Sequence, residues 1–361
     1  MSEEKSLVQL RDEIDGIDRQ IHTLLNRRAE CAQQVALVKR RSDAAAVFYR
    51  PEREAQVLRA VAQRNSGPLP DASVARLFRE IMSACLALEQ PMTVAYLGPE
   101  GTFTQAAVIK QFGHAVATQP LAAINEVFHE VESGRAAYGL VPVENSIGGM
   151  VTHTLDLFVN SALNVCGEVV IRIHQQLLSK VEQLSEIKRV YSHQQSLMQC
   201  RDWLQKNLPE VERIEVSSNA EAAKLAAAEQ GSAAIASESA AELYQLPILV
   251  TNIEDNADNT TRFLVIGEDQ VAASGKDKTS LLVSTANRPG ALFELLQPLA
   301  EAGLSLSRIE SRPSGEGLWK YLFFIDLEGH ADDEEVKSAL AHLQEQAALF
   351  RLLGSYPQAV L

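Results

Sequence analysis

Arg28 and Lys39 are the first residues in the chain whose type and spacing could do chemistry. Leu10, Ile14, Ile17, Ile21, Leu24, Arg28, Cys31, Val35 and Val38 recur alternately four and three apart, as in a helix packed along another helix. Arg28 holds one of those apolar positions, where a guanidinium must meet an anion or be badly desolvated. Lys39 returns to nearly the same face about 16 Å further along the axis. Long side chains at both positions can grip one small anion; alternatively, Arg28 only fixes the register of the seam. Arg11 lies about 42 Å from Lys39 on a straight helix, so it reaches the same ligand only from an antiparallel partner. A functional Arg11 therefore implies a dimer, whereas an Arg11 that is merely exposed implies nothing.

The elements that must position such residues fall into three segments. Residues 7–41 read as one helix, followed by a polar break at Ser42-Asp43 and a second helix from Pro51, a residue suited to a first helical turn. Asp71 can cap a third helix with an apolar face of Val74, Phe78, Ile81, Met82 and Cys85, and Glu89 continues that face. From Met92 the pattern becomes α/β, with short β-branched runs leading into hydroxyl or amide residues and then helices. Thr102, Asn145, Ser146 and Ser192 all stand at such strand ends. Helix N-termini there suit carboxylates, although the same residues are ordinary caps. Several strand ends converging make the stronger case, because open α/β sheets bind ligands at that edge. A polar linker, Gly267 to Lys278, precedes a final strand–helix–strand–strand–helix–strand module of ferredoxin-like order.

Composition narrows the function classes. The net charge is −14, but residues 1–90 hold 14 Lys+Arg against 13 Asp+Glu. The rest therefore carries 19 basic and 34 acidic residues, which argues against a nucleic-acid partner. The four scattered cysteines and eight histidines show no metal-ligand spacing, so no metal and no cofactor is expected, and reduced thiols fit a cytoplasmic location. No stretch approaches membrane length.

Specific strings carry a resemblance. LRDEID at Leu10–Asp15, NRRAECAQQVALVK at Asn26–Lys39 and RPERE at Arg50–Glu54 resemble the helical chorismate mutase domain. GPEGTFT, VPVENSIGG, SHQQSLMQC and NTTRF resemble prephenate dehydratase. NRPGALFELLQPLAEAGLSLSRIESRP resembles a phenylalanine-sensing ACT domain. In this order, over nearly the whole chain, the sequence is similar to the bifunctional chorismate mutase/prephenate dehydratase family.

That resemblance implies a multidomain fold: an all-α helical mutase domain over 1–91, a two-lobed α/β dehydratase domain like a periplasmic binding protein over 92–267, and an α+β ferredoxin-like ACT domain over 278–361. Lobe crossings are expected near residues 167 and 250. For the mutase it implies Arg28 and a partner's Arg11 on substrate carboxylates, and Lys39 on the ether oxygen. Arg53 falls in the family's arginine slot, Glu54 on the substrate hydroxyl, and Cys85 where serine is common. Glu89 stands where the second ether-oxygen donor is glutamine in the best-known members, so it must be protonated to help. Arg50 replaces a commonly acidic residue. For the dehydratase it implies Thr261 as donor to the leaving hydroxyl, with Thr102, Asn145, Ser146 and Ser192 lining the cleft. Arg262 is either a carboxylate partner or a structural ion pair. Gly290, Ala291 and Leu292 with Glu310, Ser311 and Arg312 match the phenylalanine-binding motifs. The implied ligands are chorismate, prephenate and phenylalanine, the last an allosteric inhibitor, on a homodimer or higher oligomer.

Three other readings remain open at this stage. The helical segment could be a dimer clamp on a dehydratase that lacks mutase activity. The chain could be a non-catalytic ligand-binding regulator, or a dehydratase that prefers arogenate, which carries an amine where prephenate has a keto group.

Overall fold

A computed structural model of the protein describes residues 5–42, 47–286, 288–313 and 321–360. The polar break at Asp43 and the strand start expected at Leu318 lie outside the described residues. Three helices come first: α1 (Leu7–Ser42), α2 (Pro51–Arg64) and α3 (Asp71–Glu89). Lys39, Arg40 and Arg41 fill the last turn of α1, where the helix dipole favours cations. Pro51 opens α2 as its fixed φ allows. Asp71 is the first residue of α3 rather than its cap, because Pro70 already supplies the extended cap conformation. The Asp71 carboxylate instead accepts from Asn65 Nδ2 at 2.7 Å. α3 packs against both other helices. The seam of α1 stays open to solvent: Ile14, Ile17 and Ile21 are 56, 48 and 49 % exposed.

The α/β segment forms two lobes. The first holds β1 (Thr93–Leu97), α4 (Phe103–Phe112), β2 (Ala117–Leu121), α5 (Ile124–Glu132), β3 (Tyr138–Asn145), β4 (Gly149–Met150), α6 (Thr152–Asn160) and β5 (Asn164–Arg172). The second holds β6 (Gln176–Ser179), β7 (Arg189–Ser192), α7 (Gln194–Gln199), α8 (Arg201–Asn207), β8 (Glu212–Glu215), α9 (Asn219–Ala228), β9 (Ser232–Ala236), α10 (Glu238–Leu243) and β10 (Ile248–Val250). The chain then returns, and β11 (Thr260–Gly267) inserts antiparallel between β3 and β5, giving the order β2-β1-β3-β11-β5. The second sheet has the order β10-β6-β9-β7-β8. The first crossing falls at residues 173–175, not near 167, because β5 pairs with β11 as far as Arg172. The return crosses at 251–259.

The last segment contains β12 (Asp277–Ser284), α11 (Ala291–Glu301), β13 (Leu306–Pro313), β14 (Tyr321–Glu328), α12 (Glu334–Gln346) and β15 (Leu349–Pro357), in sheet order β13-β14-β12-β15. The helices cover one face through Leu281, Leu295, Leu299, Ile325, Leu340 and Leu343. The other face packs on the first lobe. Leu282, Phe324, Leu353 and Tyr356 share one core with Val141, Val143, Leu155 and Phe158. Gly354, at φ +152°, lets the strands touch: a Cβ there would lie 2.2 Å from the Val165 carbonyl oxygen.

Polar ties fix the helical segment to both others. Arg79 pairs with Glu54 at 2.8 Å and also donates to the Gln111 carbonyl. Arg59 donates to the Lys276 carbonyl at 2.8 Å and to Ser274 Oγ at 3.0 Å. Tyr49 stacks into Phe112 and Tyr138, with ring centroids 5.2 and 5.1 Å away.

Candidate functional site

A cleft of about 660 Å³ opens between the two lobes, at the strand ends of both. Thr102, Asn145 and Thr261 face it from the first lobe, and Ser196, Asn219 and Gln199 from the second. Asn145 ends β3 and pairs in register with Thr261 of β11. The Asn145 amide is fixed in orientation, because its Oδ1 accepts from the backbone N–H groups of Gly148 at 2.7 Å and Ile147 at 3.2 Å. Its Nδ2 then donates to Thr261 Oγ1 at 2.9 Å and to Asn259 Oδ1 at 2.8 Å. With a lone pair of Thr261 Oγ1 already taken, the hydroxyl proton is free to point into the cleft. Thr102 caps α4: its Oγ1 accepts from Gln105 N at 3.4 Å.

Two of the expected lining residues, the buried Ser192 and the exposed Ser146, do not line the cleft. Ser192 is fully buried and donates towards Asn219 Oδ1 at 3.0 Å and the Ile235 carbonyl at 2.9 Å. Ser146 Oγ accepts from Thr260 N at 2.9 Å and so pins the start of β11. Arg262 is not brought to the cleft. Alternation along β11 turns it to the opposite face from Thr261, where Glu168 and Asp326 hold it. Glu144 is its register partner and therefore shares that face.

Sequence reasoning passed over Gln175, which lines the cleft at the first crossing. Its Nε2 donates to Ser196 Oγ at 3.1 Å and Gln199 Oε1 at 3.0 Å, and Asn219 Nδ2 also reaches Ser196 Oγ, at 2.8 Å. The Oε1 of Gln175 is buried with no hydrogen-bond partner among the described residues. Its one sequence signal was position: it falls between the two lobes.

In the helical segment, Glu89 lies close enough to Lys39 and Arg28 to feel both charges. Burial raises its carboxyl above the ordinary range, and the two cations only partly offset that rise. Lys39 Nζ donates to the Val47 carbonyl at 3.0 Å and lies 5.3 Å from the centre of the Phe48 ring. Cys85 is buried one turn before Glu89 on α3. Arg11 and Arg53 are exposed. Glu54 is not brought to this cluster but is held against Arg79, and burial raises its carboxyl too, with Arg79 opposing.

At the third site, Gly290 caps α11 at φ +81°, a left-handed conformation that glycine adopts without strain, and Ala291 and Leu292 begin the helix. Glu310, Ser311 and Arg312 lie near the end of β13. Arg312 pairs with Leu322, which also pairs with Ser284 at the end of β12, so both motifs occupy one end of the sheet. Arg312 binds Asp156 of α6 at 2.8 Å. Among the described residues no His, Cys, Asp and Glu cluster could hold a metal, and no helix is long and apolar enough to cross a membrane.

Comparison with known proteins matches each segment to a family. Residues 10–90 match chorismate mutase type II, 94–271 prephenate dehydratase and 279–343 the ACT domain. The bifunctional chorismate mutase/prephenate dehydratase of Stutzerimonas stutzeri is 54% identical over 365 residues, covering 100% of both chains. The protein of the same description from Pseudomonas aeruginosa is equally similar, at 54% over 365 residues and the whole of both chains. A crystal structure of prephenate dehydratase from Arthrobacter aurescens, in complex with L-Phe, superposes with a TM-score of 0.69 at 37% identity, over 74% of this chain and 90% of that one. With full-length similarity and three family matches in the same order, this chain belongs to the bifunctional chorismate mutase/prephenate dehydratase family.

Proposed function

We propose that this chain converts chorismate to prephenate in its helical segment and prephenate to phenylpyruvate in the interlobe cleft, and that phenylalanine bound at the ACT domain inhibits it. The observation that carries the dehydratase half is the Asn145–Thr261 hydrogen bond at the cleft floor. Prephenate loses its ring carboxylate as carbon dioxide. The electrons of that C–C bond enter the ring as the C–O bond to the ring hydroxyl breaks, and a proton converts the departing hydroxide to water. Thr261 donates a hydrogen bond to that oxygen as its charge grows, a contact stronger in the transition state than in the ground state. A threonine is too weak an acid to supply the proton itself, so water or a relay delivers it.

The mutase step is a [3,3] rearrangement that breaks an ether C–O bond while a C–C bond forms. Negative charge grows on the ether oxygen, and Lys39 and protonated Glu89 donate to it. Arg28 and a partner's Arg11 hold the two carboxylates in the folded conformer. The open seam of α1 supports a homodimer in which Arg11 is supplied in this way.

A dehydratase with a non-catalytic helical clamp is the second reading, and the engagement of Glu54 by Arg79 favours it. Incubating purified protein with chorismate alone and then with prephenate alone separates the two. Phenylpyruvate from both substrates supports the bifunctional reading; phenylpyruvate from prephenate only leaves the clamp, and turnover of neither rejects both.

A further inference from the structure

Behind the catalytic strand lies a buried charged network that spans two domains. Arg262 uses all three of its guanidinium nitrogens: Nε on Glu168 Oε2 at 2.8 Å, Nη1 on Asp326 Oδ2 at 2.5 Å and Nη2 on the Tyr356 hydroxyl at 2.9 Å. Glu168 belongs to β5 of the dehydratase lobe, whereas Asp326 and Tyr356 belong to β14 and β15 of the ACT sheet. Thr261 and Arg262 are neighbours on β11, one facing the cleft and the other the ACT domain. The Arg262 head is therefore anchored to the same backbone that aims Thr261.

Asp326 is also shared. Ser280 Oγ donates to its second oxygen, and Arg308 of β13 lies 3.6 Å from the oxygen that binds Arg262. Arg308 is nearly buried, yet its Nε and Nη2 have no hydrogen-bond partner among the described residues. Arg308 and Asp326 are register partners on β13 and β14, with Nη1 the nearer atom, so a turn of the guanidinium that brings Nη2 onto Asp326 would relieve part of the cost of a buried cation left short of acceptors. Burial alone would raise the Asp326 carboxyl; Arg262 and Arg308 together hold it below the ordinary range. The anion thus faces two cations, one firmly bound and one loosely. Glu310, Ser311 and Arg312, the motif matched to phenylalanine binding, begin two residues beyond Arg308 on the same strand.

We propose that Arg262 is the positioning residue for Thr261, and that Asp326, contested between Arg262 and Arg308, relays ligand occupancy of the ACT domain to the dehydratase cleft. This rests on the reading that phenylalanine binds the ACT domain and inhibits. Ligand at the end of β13 that turns the Arg308 head onto Asp326 strengthens Arg308–Asp326, loosens Arg262 and leaves Thr261 misaimed. The ligand has to favour one arrangement over the other for this to work, and the unsatisfied donors of Arg308 supply that difference.

The test uses the full chain and measures dehydratase kcat, KM and phenylalanine inhibition, with mutase activity as internal control and phenylalanine binding followed by calorimetry. Arg308→Met is expected to keep dehydratase kcat and KM, still bind phenylalanine, and retain more than half its activity at saturating phenylalanine. Arg262→Lys is expected to lower kcat about tenfold or more with little change in KM, since a misaimed donor is lost only in the transition state. A wild-type chain indifferent to phenylalanine removes the regulatory reading and this relay with it. Inhibition in the wild type that stays complete in Arg308→Met overturns the relay alone. Unchanged kcat in Arg262→Lys overturns the positioning role.

Discussion

Asn145 Nδ2 donates to Thr261 Oγ1 across 2.9 Å, and the backbone N–H groups of Ile147 and Gly148 prevent the amide from turning over. The direction of that bond decides what the hydroxyl can do. As acceptor from Asn145, Thr261 keeps its single proton available to the cleft. Thr261→Val, which preserves the branched shape without the hydroxyl, is expected to lower dehydratase kcat by about 10²–10³-fold, the usual effect of losing one oxyanion donor. Thr261→Ser should retain most activity. Asn145→Asp should be severely impaired, because a carboxylate would take the Thr261 proton for itself. Steady-state rates with prephenate check all three, and an active Thr261→Val excludes this donor role.

The proposed role of Glu89 predicts a mutase pH dependence of definite sign. Its pKa is raised, by burial first, with Lys39 and Arg28 opposing. If the protonated form donates to the ether oxygen as proposed, mutase activity should be greatest below that raised pKa and fall as pH climbs through it. Glu89→Gln donates at every pH, so its profile should be flat where the wild type falls. A wild-type rate independent of pH from acid to neutral rejects this assignment.

The open seam of α1 predicts that the two activities separate on dissociation. Ile14→Glu together with Ile21→Glu places like charges on the stripe and should shift the protein to a smaller species in sedimentation. Mutase kcat/KM should then drop by about 10–100-fold, the equivalent of losing one charge-assisted contact to a partner's Arg11. Dehydratase turnover of prephenate should stay close to wild type, since its cleft lies within one chain. Equal loss of both activities would mean that the seam does something other than complete the mutase site.

Glu54 distinguishes a stabilising role from a substrate-binding one. Both Glu54 and Arg79 are largely buried, so Glu54→Gln leaves a cation without its counter-charge, at a cost of about 3–5 kcal/mol. Thermal unfolding should show a clear loss of stability, and a Glu54→Leu/Arg79→Leu double variant should regain most of it. An unchanged melting temperature with a raised KM for chorismate would instead place Glu54 at the mutase substrate.

What could be read from the sequence followed from periodicity and strand-end chemistry. The 3.5-residue stripe showed α1 and the misplaced Arg28, and strand-end chemistry pointed to Thr102 and Asn145, which meet at one cleft with Thr261, a residue only the family resemblance singled out. Partners contributed by distant segments could not be read. Alternation along β11 says that Arg262 faces away from Thr261, but not that Asp326, on another domain's sheet, covers that face. Glu54 and Arg79 lie on adjacent helices, yet their burial depends on the dehydratase surface that closes over them. The first crossing was placed too early because the pairing of β5 with β11, a strand from far along the chain, decides where β5 ends.

The missing side chain of Gly354, pressed on the Val165 carbonyl, has a meaning for how this polypeptide could be divided. The sensor and the lobe it abuts are one hydrophobic body, so cutting the chain ahead of β12 would strip solvent protection from Val141, Leu155 and Phe158. The helical segment, by contrast, is joined largely through side-chain caps on backbone carbonyls and one aromatic corner. The natural seam for recombination therefore runs between residues 91 and 93, and the last two segments should be inherited, expressed and denatured as a single unit.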